Sequence, residues 1–406
     1  MSNRQNGGEN NMSKDSIAFY YDIGCPFAYI AAHRLIKIAK AQNVHINWNP
    51  VLLGGLYQHQ QQSQFPAKQW SMAKVQHNLR QLHQEAQQYN IPLKYNPHHP
   101  QKTVNAMRLL LCCDQEMRIK ASLALFNAYW QDGIDFSKST ILDDLCLQLG
   151  LEPKCYLRPD IKSQLRHNTD EAAQLGIFGV PTFKVGSDLW WGQDRLLFVQ
   201  HAIGGAKTVH FTRSKTPQKL TLYHDFASPY SYLGIQQMKQ FEAHTGHKIT
   251  AKPILLGALF KEIGTPMVPL FTMSHDKQQS VYKDLERWAE WWNIPFSFPE
   301  IFPLRSILPL RATIVEPSLT DVLYSAYWAE GKDISDVDVF TQICDKNGLD
   351  GALIIAKTQH AEVKNKLREN TQEAIEAGVY GVPSWKVNDE IWWGQDRLLS
   401  LAKYLS

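Results

Sequence analysis

The stretch "GIFGVPTFKVGSDLWWGQDRLL" at residues 176–197 returns as "GVYGVPSWKVNDEIWWGQDRLL" at residues 378–399. In each copy, apolar and aromatic residues flank a short Gly-Ser-Asp or Asn-Asp segment, which predicts a β-hairpin. A Gly-Val-Pro triplet precedes each hairpin, and the motif Trp-Trp-Gly-Gln-Asp-Arg ends it. The two stretches therefore predict one structural unit that is present twice in the chain.

Three further blocks repeat in the same order and at nearly the same spacing. They are "GCPFAYI" and "ASPYSYL" at 24–30 and 227–233, "NPVLLGGLY" and "KPILLGALF" at 49–57 and 252–260, and "LRHNTDEA" and "LRENTQEA" at 165–172 and 367–374. This period is far longer than the roughly 20–50 residues of solenoid repeats. We therefore expect two complete domains, at 16–203 and 219–406, joined by a polar linker at 204–218.

Composition limits the classes of function. The chain has 406 residues, of which 44% are apolar and 20% charged, as in globular proteins. A net charge of +3 gives no argument for binding to nucleic acid or to an anionic membrane. No apolar run reaches the roughly 18 residues that span a bilayer. Residues 1–15 are polar and carry no secretory signal, so we expect a disordered tail and a cytoplasmic protein with reduced cysteines.

The order of the predicted elements defines the fold class. The runs "SIAFYYDI" and "KLTLYHDF" predict strands, and each leads into a helix that starts at Pro26 or Pro229. A second strand follows each helix, and this order makes the two strands parallel. A long helical pattern then precedes the hairpin and a last helix. We therefore predict an α/β chain of two tandem thioredoxin-like domains, each with an inserted α-helical domain, and cis bonds before Pro181 and Pro383.

Cys25 and Ser228 hold the same position, immediately before the proline that starts a helix. One interpretation is structural: Ser228 caps the helix, and Cys25 is a buried thiol. The other is chemical, because the free N–H groups and the helix dipole stabilise an anion at this point. Ser228 would then donate a hydrogen bond to a thiolate brought by a cofactor, and Cys25 would itself be a reactive thiolate. Neither copy has the second cysteine of a Cys-x-x-Cys site.

The closing motif also has two interpretations. Asp194 and Asp396 either cap or charge the first turn of the last helix, or they bind the ammonium group of a ligand. The neighbouring Arg195 and Arg397 are expected to face solvent. One ring of each tryptophan pair in this motif is expected to lie in the core.

The segment before each hairpin gives two further predictions. Val180 and Val382 belong either to simple turns or, beside a cis-proline, to a backbone edge that pairs with a peptide-like ligand. Asn168 and Asn370 are predicted to cap a short helix that leads into this segment, each with a glutamate three residues later.

The motifs "DFASPYSYL", "PILLGALF", "GVYGVPSWKV" and "WWGQDRL" resemble those of the 2-hydroxychromene-2-carboxylate isomerase and kappa-class glutathione transferase family. That family lies in the wider DsbA-like group of thioredoxin folds. The resemblance covers both copies, and therefore nearly the whole chain apart from the tail and the linker. It implies glutathione as the cofactor and a small aromatic or hydrophobic electrophile as the substrate.

The resemblance also implies roles for individual residues. In this family a serine at the helix start hydrogen-bonds the glutathione sulfur, which implicates Ser228 and, by position only, Cys25. The valine before the cis-proline pairs with the cysteinyl backbone, and the aspartate of the closing motif binds the γ-glutamyl amine. The cofactor-binding positions implied in this way are Val382, Pro383, Asp396, Val180, Pro181 and Asp194.

The family pattern is less regular after the "LLG" block. The family has Gly-Asn there and a lysine further on, whereas the second copy has Gly264-Thr265 and Lys277. We therefore take Thr265 and Lys277 as cofactor-binding candidates. In the first copy this segment is shorter, and Lys68 and Lys74 are both candidates for the lysine. The second copy fits glutathione binding better than the first.

Three functions remain open from the sequence. The first is a glutathione-dependent isomerase or transferase that uses Ser228. The second is a thiol-disulfide oxidoreductase that uses Cys25 alone, with glutathione as the resolving thiol. The third is a duplicated scaffold in which one or both sites have decayed. Members of the family form homodimers, so the tandem chain is expected to form the same interface internally, as a pseudo-dimer.

Overall fold

The computed structural model describes residues 16–63, 70–136, 138–207 and 211–406. Contacts divide the chain into two compact units: the first repeat without residues 70–77, and those eight residues together with the second repeat. The predicted tail at 1–15 and the candidate Lys68 lie outside the described residues. Among the residues that are described, no helix is both long and apolar enough to cross a membrane.

Each repeat contains a four-stranded sheet. The strands of the first repeat are Ser16–Tyr21 (β1), His45–Pro50 (β2), Thr182–Val185 (β3) and Asp188–Trp191 (β4). Those of the second repeat are Lys219–His224 (β5), Lys248–Pro253 (β6), Ser384–Val387 (β7) and Glu390–Trp393 (β8). The orders are β2-β1-β3-β4 and β6-β5-β7-β8. In both, the first two strands are parallel and the remaining pairs antiparallel, which confirms the predicted crossover unit.

In each repeat one helix joins the first two strands, several lie between the second strand and the hairpin, and one follows the hairpin. The helices of the first repeat are Pro26–Gln42 (α1), Leu53–His59 (α2), Met72–Gln88 (α3), Val104–Leu111 (α4), Gln115–Trp130 (α5), Ser139–Gln148 (α6), Pro159–Gln174 (α7) and Leu196–Ala202 (α8). Those of the second are Pro229–Thr245 (α9), Leu256–Glu262 (α10), His275–Trp292 (α11), Ile307–Val315 (α12), Leu319–Trp328 (α13), Val337–Lys346 (α14), Gly351–Thr358 (α15), Ala361–Glu376 (α16) and Leu398–Tyr404 (α17). The predicted fold of two thioredoxin-like domains with helical insertions is confirmed.

Aromatic side chains from neighbouring strands form part of the first repeat's core. The ring of Phe19 on β1 stacks on Phe183 of β3 at 5.5 Å and also contacts Trp48 of β2, edge to face, at 5.1 Å. All three side chains are fully buried. Burial of such large rings is a main source of stability in a core of this kind.

The hairpins and the preceding prolines also follow the prediction. The hairpin turns have two residues each, Gly186-Ser187 and Asn388-Asp389, between directly paired strand ends. The first residue of each turn has a positive φ, 57° for Gly186 and 52° for Asn388, a conformation that favours glycine and asparagine. The Val180-Pro181 and Val382-Pro383 bonds are both cis.

The predicted helix caps at Asn168 and Asn370 are wrong. Both residues lie well inside 16-residue helices, α7 and α16. Pro159 is the first residue of α7, and its fixed φ starts that helix nine residues before Asn168. Asn370 is buried and its Nδ2 donates to the carbonyl oxygen of Pro253 at 3.2 Å, so it fastens α16 to β6 instead of capping a helix.

His224, the last residue of β5, is fully buried, and its Nδ1 lies 3.1 Å from the hydroxyl of Tyr324. Burial lowers the pKa of His224 to about 3. The imidazole therefore stays neutral in the folded protein at pH values where it is protonated in the unfolded chain. Because the unfolded state binds more protons in this window, the free energy of unfolding falls as the pH falls below about 6.5.

We expect His224 to contribute a loss of about 1.5 kcal/mol in the free energy of unfolding between about pH 6.5 and about pH 5. Urea unfolding of the full chain at the two pH values, in wild type and His224→Gln, measures this contribution. The variant should lose less stability on acidification by about that amount. The equivalent strand end of the first repeat makes no such contribution, because its residue is Tyr21, and burial raises the pKa of Tyr21 above its ordinary value. Equal losses in the two proteins would contradict the prediction.

Candidate functional site

Ser228 lies at the start of α9 and makes two hydrogen bonds with its hydroxyl. The Oγ accepts from the backbone N–H of Ser231 at 3.1 Å, so Ser228 is the helix N-cap. The same hydroxyl donates to the carbonyl oxygen of Val382, 3.2 Å away on the cis-proline loop. Ser228 is buried. The structural interpretation of Ser228 is confirmed, and the geometry also brings it against the Val382-Pro383 segment.

Cys25 has the equivalent place at the start of α1. Its thiol donates to the carbonyl oxygen of Val180 at 3.3 Å, and its side chain makes no capping bond. Burial raises the pKa of the Cys25 thiol to about 12, and the nearby Asp22 carboxylate adds to the effect. At neutral pH the thiol is therefore protonated, which favours the interpretation of Cys25 as a buried thiol over that of a reactive thiolate.

A buried aspartate four residues before the first residue of α1 and of α9 was not identified from the sequence. Asp225 Oδ1 accepts from the N–H of Ala227 at 3.0 Å, and Oδ2 accepts from the N–H of Leu256 at 2.8 Å. Asp22 makes the corresponding bonds in the first repeat. Burial raises the pKa of both carboxyl groups. Each aspartate joins the loop that carries the site residue to the start of the next helix, and its recurrence in both copies is the signal that could have identified it.

Asp194 and Asp396 lie in short 3-10 turns just before the last helices. Asp396 Oδ1 is 3.3 Å from Nε of Arg397, and Asp194 Oδ2 is 2.9 Å from Nη1 of Arg195. The arginine side chains are only 15% and 10% exposed, so the expectation that they face solvent is wrong. They fold back onto the adjacent carboxylates, and each ion pair fixes the orientation of its aspartate.

Gly394 fixes the position of the Asp396 turn. Its φ is 116°, and a Cβ at this residue would lie 2.5 Å from Oδ1 of Asp396. The N–H of Gly394 donates to the carbonyl oxygen of Pro383 at 3.0 Å. Nε1 of Trp385 donates to the carbonyl oxygen of Gly394 at 2.9 Å. The turn that carries Asp396 is thereby joined to the loop that carries Val382.

The tryptophan pairs divide as predicted between core and surface. Trp190 and Trp392 are 6% exposed, whereas Trp191 and Trp393 are 42% and 38% exposed. The exposed indoles have a structural role, because a Cβ on the glycine before each Val-Pro pair would lie 2.7 Å from their Nε1 atoms. These rings therefore cover the backbone that leads into the cis-proline.

The remaining candidates lie on other elements. Lys277 is the third residue of α11, and Thr265 follows α10. Burial lowers the pKa of Lys277. Lys74 is one of the eight residues that group with the second unit, and its pKa is lowered by burial and by the charge of Lys277. Two of the candidate lysines thus concentrate positive charge within the second unit.

A sequence model of the DSBA-like thioredoxin domain matches residues 16–204 and again residues 219–406. The chain therefore belongs to the DSBA-like thioredoxin family, as a tandem duplication of its domain.

Named relatives are similar to a single repeat. Glutathione S-transferase kappa 2 of Caenorhabditis elegans is 28% identical in an alignment of 204 positions, which covers 45% of this chain and 90% of the relative. The 2-hydroxychromene-2-carboxylate isomerase of Pseudomonas putida is 30% identical over 185 residues, 44% of this chain and 90% of the relative. A solved 2-hydroxychromene-2-carboxylate isomerase structure has 27% identity and a TM-score of 0.42, and the match covers 46% of this chain and 94% of that one.

Proposed function

We propose that the chain is a glutathione-dependent isomerase or transferase for a small aromatic or hydrophobic electrophile, with its working site in the second repeat. The observation that carries the proposal is the buried Ser228 hydroxyl at the start of α9, 3.2 Å from the carbonyl oxygen of Val382. The kappa transferase and chromene isomerase relatives support this class of function. A cytoplasmic location and an internal pseudo-dimer belong to the same proposal.

The chemistry of the groups around Ser228 fits a thiol tripeptide such as glutathione. The start of α9 supplies a positive dipole end, and the Ser228 hydroxyl supplies a donor for a thiolate. The Val382 backbone fits an extended peptide, and the Asp396 carboxylate fits an ammonium group. A bound carboxylate would offset the burial that lowers the pKa of Lys277, and the hydroxyl of Thr265 adds a further donor.

Glutathione, when bound, supplies the nucleophilic sulfur. The Ser228 hydroxyl, which donates to the Val382 carbonyl, would donate to that sulfur instead, while its oxygen would still accept from the helix N–H. This hydrogen bond and the helix dipole would favour the thiolate form of the bound thiol. The surrounding burial strengthens the bond, because little water competes for either partner.

Two tyrosines follow Ser228 on α9, and they have different uses. Tyr232 is 1% exposed, and its hydroxyl donates to the carbonyl oxygen of Pro295, so it belongs to the core. Tyr230 is half-buried in the first turn of the helix. We place its ring against the electrophile, where it would favour aromatic or hydrophobic substrates.

The oxidoreductase alternative is less well supported. It requires Cys25 as a thiolate, but burial raises the pKa of that thiol to about 12. The second repeat has a serine at the same position, so this chemistry cannot be shared by both copies.

An assay of the full chain with and without glutathione tests the proposed class. The probes are 1-chloro-2,4-dinitrobenzene for conjugation and 2-hydroxychromene-2-carboxylate for isomerisation. Turnover of either probe that requires glutathione supports the proposal. Absence of both activities, together with absence of glutathione binding, would overturn it.

Asp396→Asn should raise the dissociation constant for glutathione about 10-fold, because it removes the charge of one charge-assisted hydrogen bond. Glutathione whose amine is acetylated should bind weakly to the wild-type protein, and Asp396→Asn should not change that affinity. Calorimetric titration measures both affinities, and urea unfolding checks that the variant is folded. Asp194→Asn is the matched control in the first repeat and should leave glutathione binding unchanged. An equal effect of the two substitutions would contradict the role of Asp396.

A further inference from the structure

Three cysteines of the first repeat come together away from the site described above. Cys112 follows α4, Cys146 lies in α6, and Cys155 starts the 3-10 turn before α7. The sulfur atoms of Cys146 and Cys155 are 3.7 Å apart, and both residues are buried. Cys112 is the more exposed member. We call these three residues the thiol cluster.

Bonds from Asp143 and the end of α6 hold the 3-10 turn in place. The N–H of Leu151 donates to the carbonyl oxygen of Cys146 at 2.8 Å. Asp143 Oδ1 accepts from the N–H of Lys154 at 3.1 Å and from the hydroxyl of Tyr156 at 2.9 Å. These two donors flank Cys155 in the chain, so the short distance between the sulfur atoms is a fixed feature of the fold.

The surroundings of the thiols determine where oxidation begins. Burial and the contact with Cys155 raise the pKa of Cys146 to about 12. They also raise the pKa of Cys112, but the Arg158 guanidinium opposes this effect. Cys112 is the half-buried member of the cluster, whereas Cys146 and Cys155 are buried, so Cys112 is the thiol that a small disulfide from solvent reaches first.

We propose that Cys146 and Cys155 form a reversible disulfide, that Cys112 is the thiol through which oxidation enters, and that the oxidant is a small disulfide such as oxidised glutathione. A disulfide holds its sulfur atoms about 2 Å apart, so a modest adjustment joins two thiols already in contact. The first repeat thereby has a thiol-modification site separate from the Ser228 site, and its disulfide fastens α6 to the turn before α7.

The exchange balances in three steps. The Cys112 thiolate attacks the oxidised glutathione, forming a mixed disulfide and releasing one glutathione thiolate. The Cys155 thiolate then attacks the Cys112 sulfur and releases the second glutathione thiolate. Cys146 attacks the Cys155 sulfur and frees Cys112 again. Overall, two protein thiols are oxidised, one small disulfide is reduced to two thiols, and the two protons pass to those products.

The second repeat provides an internal control. Cys344 is the eighth residue of α14, as Cys146 is of α6, and it is also fully buried. In the second repeat α15 replaces the 3-10 turn that carries Cys155, and the residue nine positions after Cys344 is Leu353, which is 49% exposed. The second repeat therefore has a buried thiol at the matching position of α14 but no thiol pair. No group of metal-ligating side chains suited to holding an ion occurs among the described residues. The contact between the sulfur atoms of Cys146 and Cys155 is the observation that assigns the cluster to redox chemistry.

The test treats the full-length reduced protein with oxidised glutathione, stops exchange with acid, and alkylates the remaining thiols after unfolding. Peptide mass spectrometry then locates the linkages. Wild type should give a Cys146–Cys155 linked peptide that dithiothreitol removes. Cys155→Ser should give none, Cys112→Ser should form it about 10-fold more slowly, and Cys344→Ser should behave as wild type. Urea unfolding of each variant checks that it is folded.

Two results would overturn the proposal. One is a wild-type protein in which Cys112 becomes glutathionylated but no linked peptide forms. The other is a linkage that joins Cys112 to Cys155 as the final product. The proposal does not rest on glutathione catalysis in the second repeat, because Ser228→Ala should leave the oxidation unchanged. The two proposals can therefore fail separately.

Discussion

Ser228→Ala is expected to lower kcat/KM for glutathione conjugation of 1-chloro-2,4-dinitrobenzene by about 10- to 100-fold. A hydrogen bond to a charged partner contributes about 1.5–3 kcal/mol, and the substitution removes the bond that we assign to the thiolate. The pKa of the bound thiol should rise at the same time, because the ionised form loses its donor. Steady-state rates and thiolate ultraviolet absorbance, each measured against pH, test the two effects.

Cys25→Ala is the matched control for this prediction, since Cys25 has the same position in the first repeat and the same bond to a cis-proline loop. It should leave the rate and the thiol pKa unchanged. Loss of activity in Cys25→Ala, with full activity in Ser228→Ala, would move the working site to the first repeat.

Asp225→Ala is expected to lower the free energy of unfolding by about 4 kcal/mol. Its carboxylate accepts from two backbone N–H groups, at 3.0 Å and 2.8 Å, in a position that is 1% exposed. Each buried donor left without a partner costs about 1–3 kcal/mol. Urea unfolding followed by tryptophan fluorescence measures the loss.

Asp225→Asn should lose about half as much stability, because an amide keeps one of the two acceptor oxygens. Asp22→Ala tests the same arrangement in the first repeat and should destabilise that unit to a similar extent. A loss of under about 1 kcal/mol in Asp225→Ala would mean that water or a shifted backbone replaces the carboxylate.

The sequence predicts well those features of the fold that have local signals. A proline after Cys25 or Ser228 sets the first residue of the helix, so the helix starts are as expected. The hairpins are predicted from their turn residues, and each of these sequence motifs occurs twice because the domain is repeated. Asn370 shows the limit of this reasoning, because the capping pattern gave no indication that its amide bonds to Pro253 on a distant strand.

Contacts between distant residues explain what the sequence did not predict. Asp225 accepts from Leu256, 31 residues later, and no local pattern indicates such a bond. The buried position of Arg397 depends on how its turn packs in the fold. Cys146 and Cys155 are nine residues apart in the chain, and only the turn held by Asp143 places their sulfur atoms in contact.

The central claim is that the start of α9 in the second repeat binds glutathione as its thiolate. Calorimetric titration of glutathione into wild type, Ser228→Ala and Cys25→Ser under reducing conditions tests it most directly. We predict one binding event per chain that Ser228→Ala weakens about 10-fold or more and Cys25→Ser leaves unchanged. Absence of binding in wild type, or binding that only Cys25→Ser weakens, would contradict the claim.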